Sequence, residues 1–177
     1  MTPWMAIGCL LAAGPLQALP ESRVGATHVA GDYCFTTGNF LNEGAIQILD
    51  TGMKVIKVYL FRPANVYPYN STWPSFGSMV QTAQHPYFVE LFNRPFETYV
   101  LTAYSFVSSN EHYFRNGVSD AQAIAEEQQF YELAMHLLTT YRGTGKTFVL
   151  QHWEGDWAIR GSYCTDPSCD PSDTAIT

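Results

Sequence analysis

The segment 151–157, Gln-His-Trp-Glu-Gly-Asp-Trp, holds the densest group of potentially reactive side chains in the sequence. Glu154 stands between Trp153 and Trp157, and His152 precedes them. A carboxyl group packed against aromatic rings keeps its proton more readily, which suits a general acid that protonates a leaving oxygen. Indole rings also offer flat faces on which sugar rings can stack. The pattern predicts Glu154 as a catalytic acid, with the histidine and both tryptophans around a sugar.

Two other interpretations of this segment stay open. In the first, the two tryptophans pack the end of the sheet and Glu154 pairs with Arg160. In the second, His152, Glu154 and Asp156 hold a metal ion, because alternate residues of a strand share a face. The sequence offers that trio no evident supporting partners, so we expect neither a metal nor a cofactor.

A second motif, Gly143-Thr144-Gly145-Lys146-Thr147, is similar to the end of a phosphate-binding loop. The first glycine of that motif would stand at position 140, where the chain has Thr140. A phosphate-binding loop also follows a strand and opens a helix, whereas this segment closes a helix and opens a strand. We therefore interpret it as a plain turn.

The elements that must position these residues alternate along the chain. Strand-like runs are predicted at 26–35, 54–61, 98–106 and 147–153, and helical spacing occurs at 40–49, 75–92 and 119–141. Pro86 interrupts the second helical stretch at His85. The alternation predicts a parallel sheet with right-handed crossovers.

The clearest helix begins at Ser119 or Asp120 and ends before Gly143. Its predicted buried stripe comprises Ile124, Tyr131, Ala134, Leu138 and Tyr141, widened by Phe130, Leu133 and Leu137.

Loop lengths favour a barrel. The segments after strands are long, at 62–73, 107–117 and 154–173, whereas the segments after helices, at 52–53 and 144–145, are short. The composition of 62–73 argues against regular structure there. A complete (β/α)8 TIM barrel needs about 250 residues, and this chain has 177. We therefore predict an α/β fold, the N-terminal half of a TIM barrel with about four parallel strands. It would be unclosed, occupy residues 19–177 and stop at the start of the fourth crossover helix; an open flavodoxin-like sheet is the competing fold.

The amino terminus indicates secretion. An apolar run at 5–13 is followed by Gly14-Pro15 and by Leu16-Gln17-Ala18, which resembles a cleavage site, so residues 1–18 are predicted to be a signal peptide. No Lys or Arg precedes the run, and a buried N-terminal segment or a wrongly placed start is the alternative. The run is too short to span a bilayer. Asn70-Ser71-Thr72 adds a predicted glycosylation site at Asn70.

Charge and cysteine content narrow the possible partners. The net charge of −7 and the scattered basic residues argue against nucleic acid. After removal of the signal, Cys34, Cys164 and Cys169 would remain. We favour a disulfide between Cys164 and Cys169, and Cys34 with either of them is the alternative.

The stretches 44–50, 54–58 and 148–157 are similar to poorly characterised secreted TIM-barrel proteins of glycoside-hydrolase type. The similarity covers about residues 31–160. It implies that Glu154, at the end of the fourth strand, is the acid/base of a retaining glycosidase. Two departures stand out: Trp153 occupies the place of the usual Asn, and the nucleophile on strand seven is absent. Asp32 and Asp156 are the only nearby acids that could stand in, and neither matches the family pattern.

The sequence therefore predicts a secreted glycoside-hydrolase-like protein that binds or acts on carbohydrate and has no turnover as this chain. Tyr59 and Tyr104, near the ends of strands two and three, are expected to add polar contacts. One alternative is a non-catalytic carbohydrate-binding or structural protein that stacks sugars on the aromatic residues Tyr67, Tyr69, Trp73, Trp153 and Trp157. The other is a fragment from an incorrect gene model. An unclosed sheet edge would also favour self-association.

Overall fold

Four parallel strands form the centre of the molecule. The structure is a computed structural model that describes residues 23–29, 35–107, 115, 117–152, 159–160 and 167–170. The strands are β1 (Gly25–Thr27), β2 (Val55–Tyr59), β3 (Thr98–Ala103) and β4 (Thr147–His152). They lie in the order β1-β2-β3-β4, and every neighbouring pair is parallel. The predicted parallel sheet is therefore confirmed.

Helices alternate with the strands, as predicted. They are α1 (Phe40–Asp50), α2 (Pro63–Val66), α3 (Met79–Ala83), α4 (Pro86–Phe92) and α5 (Asp120–Thr140). Local sequence explains their ends. Asn39 caps α1 by accepting from the Asn42 N–H, and Ser119 forms a reciprocal capping box with Gln122 at the start of α5. Pro86 begins α4 after an extended His85, so the predicted interruption is confirmed.

One face of the sheet carries the core. Ile56 and Val58 of β2 and Tyr99 and Leu101 of β3 are fully buried. They join one apolar cluster with residues of helices α1, α3, α4 and α5. The alternate strand residues point to the opposite face, where Val149 is 43% exposed. Parallel sheets are normally covered on both faces, whereas the described residues leave Val149 of β4 uncovered on this face.

The predicted face of α5 was wrong in part. Ile124, Tyr131 and Leu138 are exposed, at 66%, 59% and 70%. The buried stripe is Leu133, Leu137 and Tyr141, with the partly buried Phe130 packed against the same core. Helical periodicity marked a stripe wide enough for two orientations, and the packing of α5 on α3 and the sheet selected one of them.

Two smaller predictions also need correction. The loop 62–73, expected to lack regular structure, contains the short helix α2, because Pro63 at its first turn has its φ already set for a helix. The first strand, expected over 26–35, is only three residues long within the described chain. No helix among the described residues is long and apolar enough to cross a membrane.

Candidate functional site

The carboxyl edge of the sheet brings three predicted binding residues together. Tyr59 ends β2, Tyr104 follows β3 and His152 ends β4. Parallel pairing aligns Tyr59 with Thr102 of β3, so these strand ends meet at one edge. The Tyr104 and His152 rings lie 5.8 Å apart between centroids. Tyr59 and Tyr104 line the same cavity. The sequence predicted that these residues stand at strand ends, and the register of the sheet brings them close together.

The cavity at this edge has a volume of about 190 Å³ and lies between the ends of β2 and β3. Its lining residues are Tyr59, Phe61, Arg62, Asn65, Val66, Thr102 and Tyr104. Three of them form an aromatic wall, in which the Phe61 ring lies 4.7 Å from that of Tyr104. The Arg62 guanidinium sits 4.6 Å from the Phe61 ring centroid, a favourable cation–π distance. Helix α2, which sequence reasoning missed, supplies Asn65 and Val66.

Thr102 lies at the wall of the cavity and carries a buried hydroxyl. The residue is 2% exposed. Its Oγ1 makes no hydrogen bond within the part of the chain that the structure describes. A buried hydroxyl without a partner carries a desolvation cost, and such groups in native proteins call for an explanation. Sequence reasoning did not single out this residue, because one Thr in a strand has no distinguishing signal.

A carboxylate from α5 reaches the same edge. Ser105 is 1% exposed and its Oγ donates to Glu126 Oε2. Glu126 Oε1 lies 3.8 Å from His152 Nε2. The His152 ring also lies near Phe130, one helical turn beyond Glu126, at 6.2 Å between centroids. A carboxylate beside an imidazole helps to orient the ring. The i, i+4 spacing of Glu126 and Phe130 was the one available sequence signal for this group.

Helix α5 holds the chain after β3 through a second side chain. Gln129 Oε1 accepts from the backbone N–H of Phe106 at 3.1 Å. The same oxygen accepts from the Met79 N–H, at the start of α3, at 3.3 Å. The position of the chain beyond Tyr104 is therefore set by a helix packed on the core.

At the carboxyl end of β1, the His28 ring packs against helix α1. His28 is 7% exposed, and its ring Nε2 hydrogen-bonds the Phe40 carbonyl at 3.0 Å. Burial lowers the pKa of His28. The Tyr67 hydroxyl donates to the His28 carbonyl and accepts from the Tyr59 N–H. Burial raises the pKa of Tyr67. Tyr67 is fully buried, so its predicted role in a sugar-stacking surface is wrong.

Other predicted side chains have mixed positions. Trp73 is half-buried and donates its ring N–H to the Tyr67 carbonyl at 2.8 Å. Tyr69 is also half-buried, with its ring against Phe40. Asn70 is exposed, and its Nδ2 donates to the Thr36 carbonyl at 2.8 Å. A glycosylated Nδ2 would retain one hydrogen for that bond.

Several predicted residues lie outside the described part of the chain. They are Asp32, Trp153, Glu154, Asp156 and Trp157, together with Cys34 and Cys164. Cys169 ends a short 3-10 turn, Pro167–Cys169. Arg160, the suggested partner of Glu154, donates to Asp170 Oδ1 at 2.6 Å.

The segment 143–147 has no phosphate-binding geometry. Gly143 and Gly145 take positive φ values of 75° and 74° in the turn between α5 and β4. Lys146 Nζ donates to the Arg94 carbonyl at 2.6 Å and to the Phe96 carbonyl at 3.4 Å. The interpretation as a turn is confirmed, and the lysine ties this turn to the chain before β3.

Among the described residues, no three His, Cys, Asp or Glu side chains are grouped closely enough to hold a metal ion.

Comparisons with known proteins found no match: no protein family, no curated protein and no solved structure corresponds to this chain.

Proposed function

We propose that this chain is a secreted carbohydrate-active protein of glycoside-hydrolase type. Glu154 is the general acid/base, and Trp153, Trp157 and His152 surround the sugar. The observation that carries the proposal is the meeting of Tyr59, Tyr104 and His152 at the carboxyl edge of a parallel sheet. That edge is where α/β barrels place their active sites.

The fold proposed for this function is the N-terminal half of a TIM barrel. The strand order follows the chain without a reversal, and one apolar cluster unites α1, α3, α4 and α5 on a single face. A doubly wound sheet needs a reversal of strand order and helices on both faces. Both features therefore favour half of a barrel over the flavodoxin-like alternative.

The second carboxylate of the proposed catalytic apparatus has no clear candidate in this sequence. A retaining glycosidase needs two carboxyl groups about 5 Å apart. Asp32 and Asp156 are the candidates for the second carboxylate, and neither fits the family pattern. Glu126 is a further carboxylate at this edge, but it already accepts from Ser105 and lies beside His152. We therefore expect sugar binding without turnover.

A glycan array with the purified full chain tests the proposal. We expect binding to a defined sugar class and no hydrolysis of chromogenic glycosides. Glu154→Gln should weaken binding about tenfold, since a hydrogen bond to a charged group contributes about 1.5–3 kcal/mol. Glu127→Gln, at an exposed position on α5, is the matched control and should bind as the native chain does. Absence of any sugar binding would contradict the proposal, and unchanged binding by Glu154→Gln would favour the non-catalytic alternative.

Secretion and processing have a separate test. Expression in a secretory host should yield a mature chain that begins at residue 19 and carries a glycan on Asn70. Mass spectrometry of the secreted protein, before and after enzymatic deglycosylation, checks both points. Retention of residues 1–18 in the product would contradict the signal peptide.

We also propose self-association through the β4 edge. Val149 on β4 and Leu138 on α5 leave apolar surface exposed there, at 43% and 70%, and unpaired strand edges favour association. Size-exclusion chromatography with light scattering should show dimers or larger species. A stable monomer with a cooperative melt would count against both self-association and the half-barrel.

A further inference from the structure

One face of helix α5 is both apolar and exposed. Its four large apolar side chains are those of Ile124, Tyr131, Met135 and Leu138. The buried residues of the same helix lie on another side, which packs against the core. Exposed apolar surface that forms a continuous patch marks an interaction site. The outer face of α5 is therefore a candidate contact surface.

Opposite charges stand at the two ends of this face. Asp120 is the first residue of α5, and Arg142 lies two residues beyond its last one. Both are exposed, and Arg142 lines the same groove as Leu138, so it continues the apolar face. Neither charge forms an ion pair within the part of the chain that the structure describes. The face thus has an acidic end, an apolar middle and a basic end.

The order of residues along this face is the same from either end. Ile124 precedes Tyr131 by seven residues, and Leu138 follows it by seven. Asp120 precedes Tyr131 by eleven residues, and Arg142 follows it by eleven. Spacings of seven and eleven residues both return to the same side of a helix. A two-fold interface requires such symmetry, because every contact in it occurs twice with the roles exchanged.

Antiparallel packing of two copies of α5 uses this symmetry. With the two-fold axis at Tyr131, Ile124 lies opposite the partner's Leu138. Asp120 lies opposite the partner's Arg142, so an acid meets a base at each end. In a parallel pair, each charge would instead meet its own equivalent and repel it. Charge complementarity therefore favours a second copy in the antiparallel direction.

The remaining pair on the face limits the affinity. Glu127 and Met135 stand four residues before and after Tyr131, so they lie opposite each other in the antiparallel pair. A carboxylate next to a thioether loses part of its hydration without gaining a partner. The contact is also one helix wide, whereas standard interfaces bury about 1,200–2,000 Å². We therefore expect a reversible dimer with a Kd in the micromolar range.

A membrane surface fits this face less well than a second copy does. Helices that lie on membranes carry Lys and Arg on their polar side. Helix α5 contains neither, and it carries four acidic residues, Asp120, Glu126, Glu127 and Glu132. The net charge of −7 also opposes binding to anionic lipids.

We propose that α5 is a dimerisation surface, on which a second copy of this chain packs its own α5 antiparallel about a two-fold axis at Tyr131. The inference rests on the self-association proposed above, for which it names a surface and an orientation, and it is independent of the carbohydrate activity. The contact is separate from the β4 edge, so a chain that used both would form species larger than a dimer.

Analytical ultracentrifugation of the full chain over a range of concentrations tests the surface. Leu138→Glu should weaken association about tenfold or more, because the new carboxylate would be buried against the partner's Ile124. Ala125→Glu is the matched control: it adds the same charge at an exposed position of α5, about 120° around the helix from Tyr131. It should associate as the native chain does. A native chain that stays monomeric at millimolar concentration, or native association by a folded Leu138→Glu, would overturn the proposal.

Charge reversal tests the orientation. Asp120→Lys or Arg142→Glu alone places like charges together at both ends of the antiparallel dimer, so each should weaken association about three- to tenfold. An equimolar mixture of the two variants should regain native affinity, because opposite charges then meet at both ends of the mixed dimer. Single variants that associate as well as the native chain, or a mixture that gains nothing, would overturn the antiparallel arrangement.

Val149→Lys separates this contact from the β4 edge. Lysine on an edge strand opposes strand pairing, but the α5 dimer should keep its native affinity. Association that is lost in Val149→Lys and kept in Leu138→Glu would place the interface at β4 alone and overturn the α5 surface. Binding of the native chain to phosphatidylcholine vesicles without any dimer in solution would assign the face to a membrane instead. An intact dimer with no binding on the glycan array would reject the carbohydrate proposal alone.

Discussion

The two ends of the sheet are built differently. At the amino end, the side chain of Lys146, in the turn before β4, donates to two backbone carbonyls of the chain before β3. The Thr147 N–H also donates to the Glu97 carbonyl. At the carboxyl end, the ends of β2 and β3 enclose a cavity, and the Thr102 hydroxyl makes no hydrogen bond among the described residues. Hydrogen bonds between chain segments therefore hold the amino end together, whereas the carboxyl end is open at a cavity.

Gly44→Ala tests the packing around His28 at the carboxyl end of β1, and it has the largest expected effect on stability. A Cβ on Gly44 would lie 2.3 Å from His28 Cε1, so a buried ring must shift. Overpacking of this kind costs about 1–3 kcal/mol, and we expect the upper end. Thermal unfolding measures it. Gly38→Ala is the control, because a Cβ on Gly38 would lie 3.3 Å from Oγ1 of the exposed Thr36, its nearest neighbour. Equal stability of the two variants would contradict the close packing of Gly44 against the His28 ring.

Lys146→Met tests the amino end. The variant removes the donor to the Arg94 and Phe96 carbonyls and to the Tyr99 hydroxyl. We expect a loss of about 2 kcal/mol. Chemical denaturation measures this loss. A variant as stable as the native chain would show that these hydrogen bonds do not hold the amino end together.

Acid should lower the stability of the fold through His28, at the carboxyl end of β1. Burial depresses the pKa of His28 in the folded state, so the unfolded chain binds the proton first as the pH falls. Stability is therefore full above about pH 6.5 and decreases below it, by at most about 1.4 kcal/mol per pH unit for this group. Melting curves between pH 5 and 8 measure the slope. His28→Gln should reduce the slope, and an unchanged slope would show that another group carries it.

Ser105→Ala tests the Glu126 carboxylate at the carboxyl edge of the sheet. It removes the hydroxyl that donates to Glu126, which is 16% exposed at its side chain. The cost should be about 1 kcal/mol. The His152 side-chain NMR signals should shift as well, because Glu126 lies against that ring. Ser75→Ala, at an exposed loop position, is the control and should leave stability unchanged.

Thr102→Val has the smallest expected effect on stability. A buried hydroxyl without a partner costs free energy, so its replacement by a methyl group should leave stability unchanged or raise it by up to about 1 kcal/mol. Denaturation of the ligand-free chain measures the change. A loss of more than 1 kcal/mol would mean that the hydroxyl is satisfied within the protein, and the two ends would then be alike.

The amino-acid sequence by itself determined the alternation of strands and helices, the break at His85 and the turn at 143–147. These features follow from hydrophobic period, proline and glycine, which act within a few residues. It also indicated that Tyr59 and Tyr104 stand at strand ends.

Tertiary structure decided the rest. The buried face of α5, the approach of Glu126 to His152, and the cavity beside Thr102 all join segments that lie far apart in the chain. Each depends on strand register and on which of two apolar faces packs against the core. Local periodicity cannot specify that choice, because both faces of α5 carry apolar residues and only long-range contacts distinguish them.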